Sequence, residues 1–189
     1  MENTAINETN IEVKDTTKKS SIMEWVKFIL MLALVVIVIR NSIGFTKISG
    51  LSMFPTFQDG DFILEEKISK YFSSPETGDV VIINKPEQGY KIIKRVIALG
   101  GDTVMIKDGT VFVNDQPLPE IMTSGQSSDM EATKVPADHI FVIGDNRTPG
   151  ESIDSRDPSV GPIPHSDIDG YVLFSLIPFK SIPKPIEIE

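Results

Sequence analysis

The sequence contains no cysteine and only 2 histidines in 189 residues. Without cysteine the chain has no disulfide framework, no thiolate metal site and no cysteine nucleophile. Two histidines are too few for a three-histidine metal centre, and we expect neither a metal nor a cofactor. Basic residues are also in the minority. The formal net charge of −9 argues against nucleic acid as a partner, because nucleic-acid-binding surfaces are normally basic.

One long apolar segment interrupts this otherwise polar sequence. Residues 28–39 are all apolar, and Trp25 and Phe45 mark the ends of an extended run of about 20 residues, which is long enough to cross a membrane. Lys27 and Arg40 lie where their long side chains can reach the two interfaces. The segment therefore has the length and the flanks of a membrane anchor.

Two other interpretations compete with a retained anchor. Ser42-Ile43-Gly44 is a loose small-x-small site of the kind that ends a cleaved signal peptide, although the polar region before the run is long for one. A buried core helix is disfavoured because the run is apolar on all faces and has no similar helix to pack against. We favour the anchor. Basic residues before its centre outnumber those after it, which predicts a cytoplasmic N-terminus. The residues before are Lys14, Lys18, Lys19 and Lys27, and those after are Arg40 and Lys47.

We predict three parts: a disordered cytoplasmic tail at 1–21, a transmembrane anchor at 22–45 and an extracytoplasmic domain at 46–189. The last part is mainly β, with short runs rich in Val, Ile and Phe between turn residues, as in antiparallel sheets. Residues 116–138 have little apolar pattern and are predicted to form an exposed excursion between strands. The predicted strand regions are 80–84, 91–99, 102–115, 139–145 and 170–177.

Ser52 and Lys94 are candidates for chemistry, each with an ordinary structural alternative. Gly50 precedes Ser52 by two positions and Pro55 follows it by three, a rigid kinked backbone that either presents a hydroxyl or simply turns the chain. In a strand, Lys94 shares a face with apolar neighbours, so it is either a desolvated base with a lowered pKa or a solvated lysine with Arg95 pointing inward.

A polar loop follows the strand region at 139–145. Asp154 and Arg156 in this loop are placed to pair and to brace a site, although the same residues are also typical of a plain turn. His139 or His165 would be needed for a Ser-His-Asp triad with Ser52, and nothing local marks either histidine for that role.

Four segments in this order, after one N-terminal anchor, resemble the type I signal peptidases, specifically the form typical of Gram-positive bacteria. The segments are SGLSMFPTF at 49–57, GDVVIIN at 78–84, KRVIALGGD at 94–102 and GDNRTPGESIDSR at 144–156. The resemblance covers almost the whole chain. It implies a membrane-anchored β fold of antiparallel sheets and a serine endopeptidase that removes signal peptides from exported preproteins.

By this resemblance Ser52 is the nucleophile and Lys94 the general base. Ser152 matches a serine that orients the lysine, and Asp154 and Arg156 match a bracing pair. Some relatives carry an oxyanion-hole hydroxyl at the position that is Gly50 here. The loop before Ser152 has two extra residues, and the usual KRVIGLPGD reads KRVIALGGD.

The implied substrate is an extended signal peptide with small side chains at the first and third positions before the cut. The implied partners are therefore preproteins and membrane lipid, with Met53, Phe54 and Phe57 as apolar residues able to enter the lipid. Two alternatives remain: a self-cleaving Ser/Lys protease of a related β fold, and a non-catalytic membrane-tethered β module that binds export partners. The oligomeric state is unknown from the sequence.

Overall fold

The computed structural model describes residues 16–85 and 89–184, so most of the predicted tail at 1–21 lies outside the described residues. A helix, α1, runs over Thr16–Ser42. It is apolar on all sides, because the sequence gives it no polar stripe between Phe28 and Ile39.

Ser21–Ser42 within α1 has the length and hydropathy of a membrane span. It has 22 residues, its most apolar 18-residue window has a mean hydropathy of 2.6, and at 1.5 Å per residue it is about 33 Å long. None of its most apolar window is buried within the described part of the chain, so the interpretation as a core helix is wrong. The helix begins at Thr16, within the segment at 1–21 that we predicted to be disordered, and it ends at Ser42. Residues 43–45, which we included in the anchor, begin a strand.

After the helix, the described residues contain twelve antiparallel strands joined by turns and loops. These are β1 (Ile43–Lys47), β2 (Phe62–Glu66), β3 (Val80–Lys85), β4 (Tyr90–Leu99), β5 (Thr103–Lys107), β6 (Thr110–Val113), β7 (Gln116–Pro117), β8 (Met130–Lys134), β9 (His139–Ile143), β10 (Ile163–Pro164), β11 (Ile168–Ile177) and β12 (Phe179–Ser181). One sheet has the order β1-β2-β11-β3-β4-β9-β10, with β12 on β11, and the other has the order β7-β6-β5-β8. Short 3₁₀ turns lie at Ser69–Tyr71 and His165–Asp167. The prediction of a mainly antiparallel β fold after one apolar helix is confirmed.

The excursion at 116–138 is less exposed than we predicted. It contains β7 and β8, and Leu118, Ser127 and Val135 are buried. Leu118 and Val135 join the core between the small sheet and strands β4 and β9. Part of this segment is therefore held by packing, although its sequence shows no regular apolar pattern.

Strand β4 lies in the middle of the larger sheet and contributes to three apolar clusters. Ile97 packs with the small sheet, Val96 packs with β3 and β9, and Ile93 lies against the cluster that contains Met53 and Phe57. Both faces of β4 are therefore covered, and any polar side chain on it loses water unless it finds partners.

Candidate active site

Ser52 and Lys94 meet in the structure, although they are 42 positions apart in the chain. The Lys94 Nζ atom lies 2.8 Å from Ser52 Oγ and donates a second hydrogen bond to the carbonyl oxygen of Ile93 at 2.9 Å. These two contacts hold the amine in one orientation beside the hydroxyl. The pair has the nucleophile-to-base spacing that proton transfer requires.

Burial of Lys94 gives this amine its unusual protonation. Lys94 is 3% exposed and pairs across the sheet with Val81, which has no exposed surface. Burial lowers the pKa of Lys94 from 10.5 to about 8, while the charge of Asp154 raises it and that of Arg156 lowers it. The fraction of neutral amine near neutral pH is therefore far larger than for an ordinary lysine.

Ser52 lies on a turn between β1 and β2 whose backbone is held at both ends. The N–H of Ile48 donates to the carbonyl of Asp61 at 2.8 Å, which closes the base of the turn. Gly50 has φ +95°, a conformation that side-chain-bearing residues rarely adopt, and its N–H donates to Asp59 Oδ1 at 2.8 Å. Within the described ranges no acceptor receives the N–H of Ser52 itself.

The residues after Ser52 anchor the turn in the core rather than in lipid. Met53 is 2% exposed and Phe57 is 1% exposed, and both pack with Ile63 and Ile82. Our prediction that they enter the membrane is wrong for these two residues. Phe54 alone of the three is exposed, at 37%.

Asp154 is the acceptor at the centre of the 144–156 loop. Its carboxylate accepts from Ser152 Oγ at 2.6 Å and from the N–H of Gly144 at 3.0 Å. Arg156 donates to both carboxylate oxygens, through Nε and Nη2, each at 2.8 Å. Burial alone would raise the pKa of Asp154, but these hydrogen bonds outweigh it and hold the pKa below its ordinary value.

Ser152 contacts this carboxylate, and no hydrogen bond joins it to Lys94 in the part of the chain that the structure describes. It lies against Gly144, where an added Cβ would come within 2.4 Å of both Ser152 Oγ and the carbonyl oxygen of Ser52. Gly144 therefore allows the loop to approach the backbone of Ser52 closely.

A second buried ion pair, which the sequence did not lead us to predict, lies on the other face of β4. Arg95 donates through Nε and Nη2 to the two oxygens of Asp145, at 2.8 Å and 2.7 Å. Thr56 Oγ1 donates to the same carboxylate. Arg95 is 5% exposed and Asp145 is 0% exposed, so Lys94 and Arg95 are both buried rather than one of them facing solvent. The pair joins β4 to the start of the 144–156 loop.

The histidines lie elsewhere. His139 Nδ1 is 2.8 Å from the carbonyl oxygen of Ala137, and within the described residues neither His139 nor His165 bonds to Ser52 or Lys94. Nor do residues 16–85 and 89–184 contain a group of three or more His, Asp or Glu residues placed to bind a metal.

Ser52 and Lys94 open onto a cleft of about 350 Å³ that is largely apolar. Its walls come from the turn that carries Ser52 and from the first half of β4. In that half, residues 90–94 pair with β3 on one side, whereas β9 pairs only from Arg95 onward. The other edge of residues 90–94 is thus unpaired among the described strands, next to the hydroxyl. The cleft is lined by Thr46, Lys47, Ile48, Ser49, Ser52, Met53, Ile82, Tyr90, Lys91, Ile92, Ile93 and Lys94.

Known proteins are similar to this chain along most of its length. The family model described as "Signal peptidase, peptidase S26" matches residues 22–177. A signal peptidase I of Bacillus licheniformis is 35% identical over 185 residues, which cover 92% of this chain and 98% of that protein. A probable signal peptidase I-1 of Synechocystis is 39% identical over 137 residues, 67% of each chain.

A solved structure is also similar. The crystal structure of a signal peptidase I from Enterococcus faecalis is 29% identical, with a TM-score of 0.44, and the match covers 52% of this chain and 97% of that one. The family match and the extent of the identity to the Bacillus protein lead to one assignment. The chain belongs to the signal peptidase family, peptidase S26.

Proposed function

We propose that this protein is a membrane-bound serine endopeptidase that removes signal peptides from preproteins, with Ser52 as nucleophile and Lys94 as general base. The observation that supports it best is the 2.8 Å contact between Ser52 Oγ and a buried Lys94 amine. Among the described residues no carboxylate contacts the Nζ atom of Lys94, and a buried lysine without such a partner is costly to keep, which favours a chemical role over a structural one.

In the first half of the reaction, neutral Lys94 accepts the hydroxyl proton as Ser52 Oγ attacks the peptide carbonyl. The new Oγ–C bond gives an oxyanion, and the C–N bond then breaks while the amine leaves with the proton that Lys94 returns. In the second half, Lys94 takes a proton from water, whose oxygen attacks the acyl carbon. The C–Oγ bond then breaks, and Lys94 returns the proton to Ser52 Oγ. The contact with the Ile93 carbonyl keeps the amine aimed at Oγ throughout.

We assign the N–H of Ser52 as a hydrogen-bond donor to the oxyanion, because it has no acceptor of its own in the described ranges. Gly50 supplies no hydroxyl here, and its own N–H is engaged by Asp59. We assign Asp154 and Arg156 to bracing the loop beside Ser52, and Ser152 to holding Asp154 rather than to direct contact with Lys94.

The substrate is proposed to bind as an added strand along residues 90–94 of β4, whose free edge borders the cleft. Side chains of an extended peptide point alternately to opposite sides, so the first and third residues before the cut face the same wall. We assign that wall to Met53, Ile82 and Ile93, which line the cleft and pack in one apolar cluster. Small side chains at those two positions are the expected specificity.

This function is tested by incubating the detergent-solubilised full chain with a model preprotein that carries Ala at the first and third positions before its cleavage site. We expect a single cut directly after the Ala at the first position, mapped by mass spectrometry of both products. A matched preprotein with Leu at those positions should resist cleavage. Cutting at unrelated sites, or no cutting of either preprotein, would contradict the proposal.

We further infer that membrane lipid is a partner of the domain at 46–189 and that nucleic acid is not. The strands β1, β2, β11 and β12 carry exposed apolar side chains: Phe45 at 70%, Phe62 at 42%, Ile177 at 67% and Phe179 at 78%. Strand β1 follows α1 without a linker, so its exposed side chains are close in sequence to the span. The negative net charge of the chain is unfavourable for nucleic acid.

The proposed topology places the N-terminus in the cytoplasm and the β domain outside. The natural absence of cysteine allows single-cysteine variants to test it. Glu131→Cys, at an exposed position of β8, should react with a membrane-impermeant maleimide in intact cells. Asn7→Cys should react only after the cells are permeabilised. The reverse pattern would invert the orientation.

A further inference from the structure

Residues 120–127, here called the bridging segment, lie against the 144–156 loop. The N–H of Ser124 donates to the carbonyl of Asp145 at 3.0 Å, and the carbonyl of Ser124 accepts from the N–H of Arg147 at 2.7 Å. These bonds form a parallel bridge between Ser124 and Asn146. Gly125 fits so closely that an added Cβ would lie 2.2 Å from Thr148 Oγ1. The two segments are thus joined by backbone bonds and by direct packing.

Side chains strengthen this contact on both sides of the bridge. Glu120 forms an ion pair with Arg147, whose side chain is only 2% exposed and also donates to the carbonyl of Gly144 at 3.0 Å. Ser127, itself 6% exposed, accepts from Arg156 Nη1 at 3.1 Å. Among the described residues, the carboxylate that lies within ion-pair distance of the Arg147 guanidinium belongs to Glu120. This contact matters because a buried cation without a counter-ion is costly.

The part of the loop that the bridging segment holds is the part that touches the nucleophile. Asn146 donates from its N–H to the carbonyl of Ser52 at 3.0 Å, and from Nδ2 to the carbonyl of Leu51 at 3.2 Å. Asn146 is itself the partner of Ser124 in the bridge. A continuous chain of contacts therefore runs from Glu120, through Arg147 and Asn146, to the backbone of Ser52.

We propose that the bridging segment positions the nucleophile and that Glu120 is a positioning residue, acting through Arg147 on the loop that holds the backbone of Ser52. This inference rests on the proposed peptidase function. Glu120 itself does not touch the cleft. It fixes where Ser52 Oγ lies relative to Lys94, and displacement of an attacking atom by about 1 Å lowers a rate by about 100-fold.

The test compares Glu120→Gln with Glu131→Gln in the detergent-solubilised full chain. Glu131 is a matched control because it is exposed on β8 in the same excursion. We expect Glu120→Gln to lower kcat for a model preprotein about tenfold with little change in KM, and Glu120→Asp to recover part of the loss. In an Arg147→Met background, Glu120→Gln should have no further effect, because the partner through which it acts is gone.

A second measurement does not depend on activity. Hydrogen exchange should be faster at peptides covering 49–57 and 144–149 in Glu120→Gln than in the wild type or in Glu131→Gln. Unchanged exchange, or unchanged kcat in an active preparation, would overturn the inference while leaving the peptidase function intact. A loss of activity matched by an equal loss of folded protein in thermal melts would also overturn it. Failure of the wild type to cleave would count against the peptidase function, and the exchange result would still decide the positioning role.

Discussion

Replacing Ser52 by Ala, or Lys94 by Ala, is expected to lower the rate of preprotein cleavage by at least about 10³-fold. Ser52→Ala removes the atom that forms the acyl-enzyme. Lys94→Ala leaves the hydroxyl in place but removes the amine that lies 2.8 Å from it and would take its proton. Because the two groups act in the same step, the double variant should be little slower than either single one.

Cleavage is measured with the same model preprotein, and folding is checked by circular dichroism of the solubilised full chain. His139→Ala and His165→Ala are the controls, since neither histidine bonds to the pair in the described residues, and both should stay active. Wild-type activity in a folded Lys94→Ala protein would refute the mechanism. A large loss in one histidine variant would revive the triad. A non-catalytic binding module would keep its binding activity in all four variants.

The pH dependence of wild-type cleavage should follow the ionisation of Lys94. The pKa of Lys94 is lowered to about 8, and a general base is active only when it has lost its proton. We expect kcat/KM to reach a plateau above about pH 9 and to fall about tenfold per pH unit below pH 8. If kcat/KM instead began to fall near the ordinary lysine pKa of about 10.4, burial would not lower the pKa of Lys94 in the free enzyme.

The lowered pKa of Lys94 also makes the stability of the domain depend on pH. Between about pH 8 and pH 10.5 the unfolded chain binds a proton at Lys94 that the folded chain does not bind. The free energy of unfolding therefore decreases as pH falls through this window, by up to about 3 kcal/mol, and the penalty stays constant below it. At neutral pH the folded domain thus carries the full cost of burying this lysine.

Lys94→Met removes this cost while keeping the volume of the side chain. We expect an inactive protein that is at least as stable as the wild type at pH 7, by up to about 3 kcal/mol or roughly 6 to 12 °C in Tm. The difference in stability between Lys94→Met and the wild type should become smaller as the pH approaches 10.5. Thermal melts of both proteins in detergent across this range provide the measurement. Strong destabilisation by Lys94→Met at neutral pH would instead identify Lys94 as a charged structural partner and would remove it as the base.

The strands that could be predicted are those with unbroken apolar runs, such as residues 80–84 in β3 and 139–143 in β9. Strand β2 was missed because its sequence, FILEE, ends in two glutamates. Yet Glu65 is 3% exposed and pairs with Lys67 at 3.0 Å. Its carboxylate lies over Gly44, where an added Cβ would come within 1.9 Å of Oε1. The small residue that suggested a signal cleavage site thus has a packing reason as well.

The candidate pair of Ser52 and Lys94 could be predicted because local alternation and the motif order both mark it. The Arg95–Asp145 ion pair and the bridge between Ser124 and Asn146 could not, since they join segments whose distance in space depends on the whole sheet order. Alternation left Lys94 as either a desolvated base or a solvated lysine with Arg95 pointing inward. Both side chains are buried because both faces of β4 are covered, which no pattern within a single strand reveals.

The adjacency of Lys94 and Arg95 also determines which changes β4 can tolerate. The two side chains point to opposite faces, one to Ser52 and the other to Asp145. An insertion or deletion that shifted the strand by one residue would turn each side chain to the other face. In one direction Arg95 would take the place of Lys94 beside the hydroxyl, where its guanidinium cannot release a proton near neutral pH, and Val96 would face Asp145. In the other direction Ile93 would lie beside the hydroxyl, and Asp145 would face the Lys94 amine, which cannot make the two-pronged contact. A single substitution at Lys94 or Arg95 therefore removes one of these two contacts, whereas a change in the length of β4 would remove the base and the ion pair together.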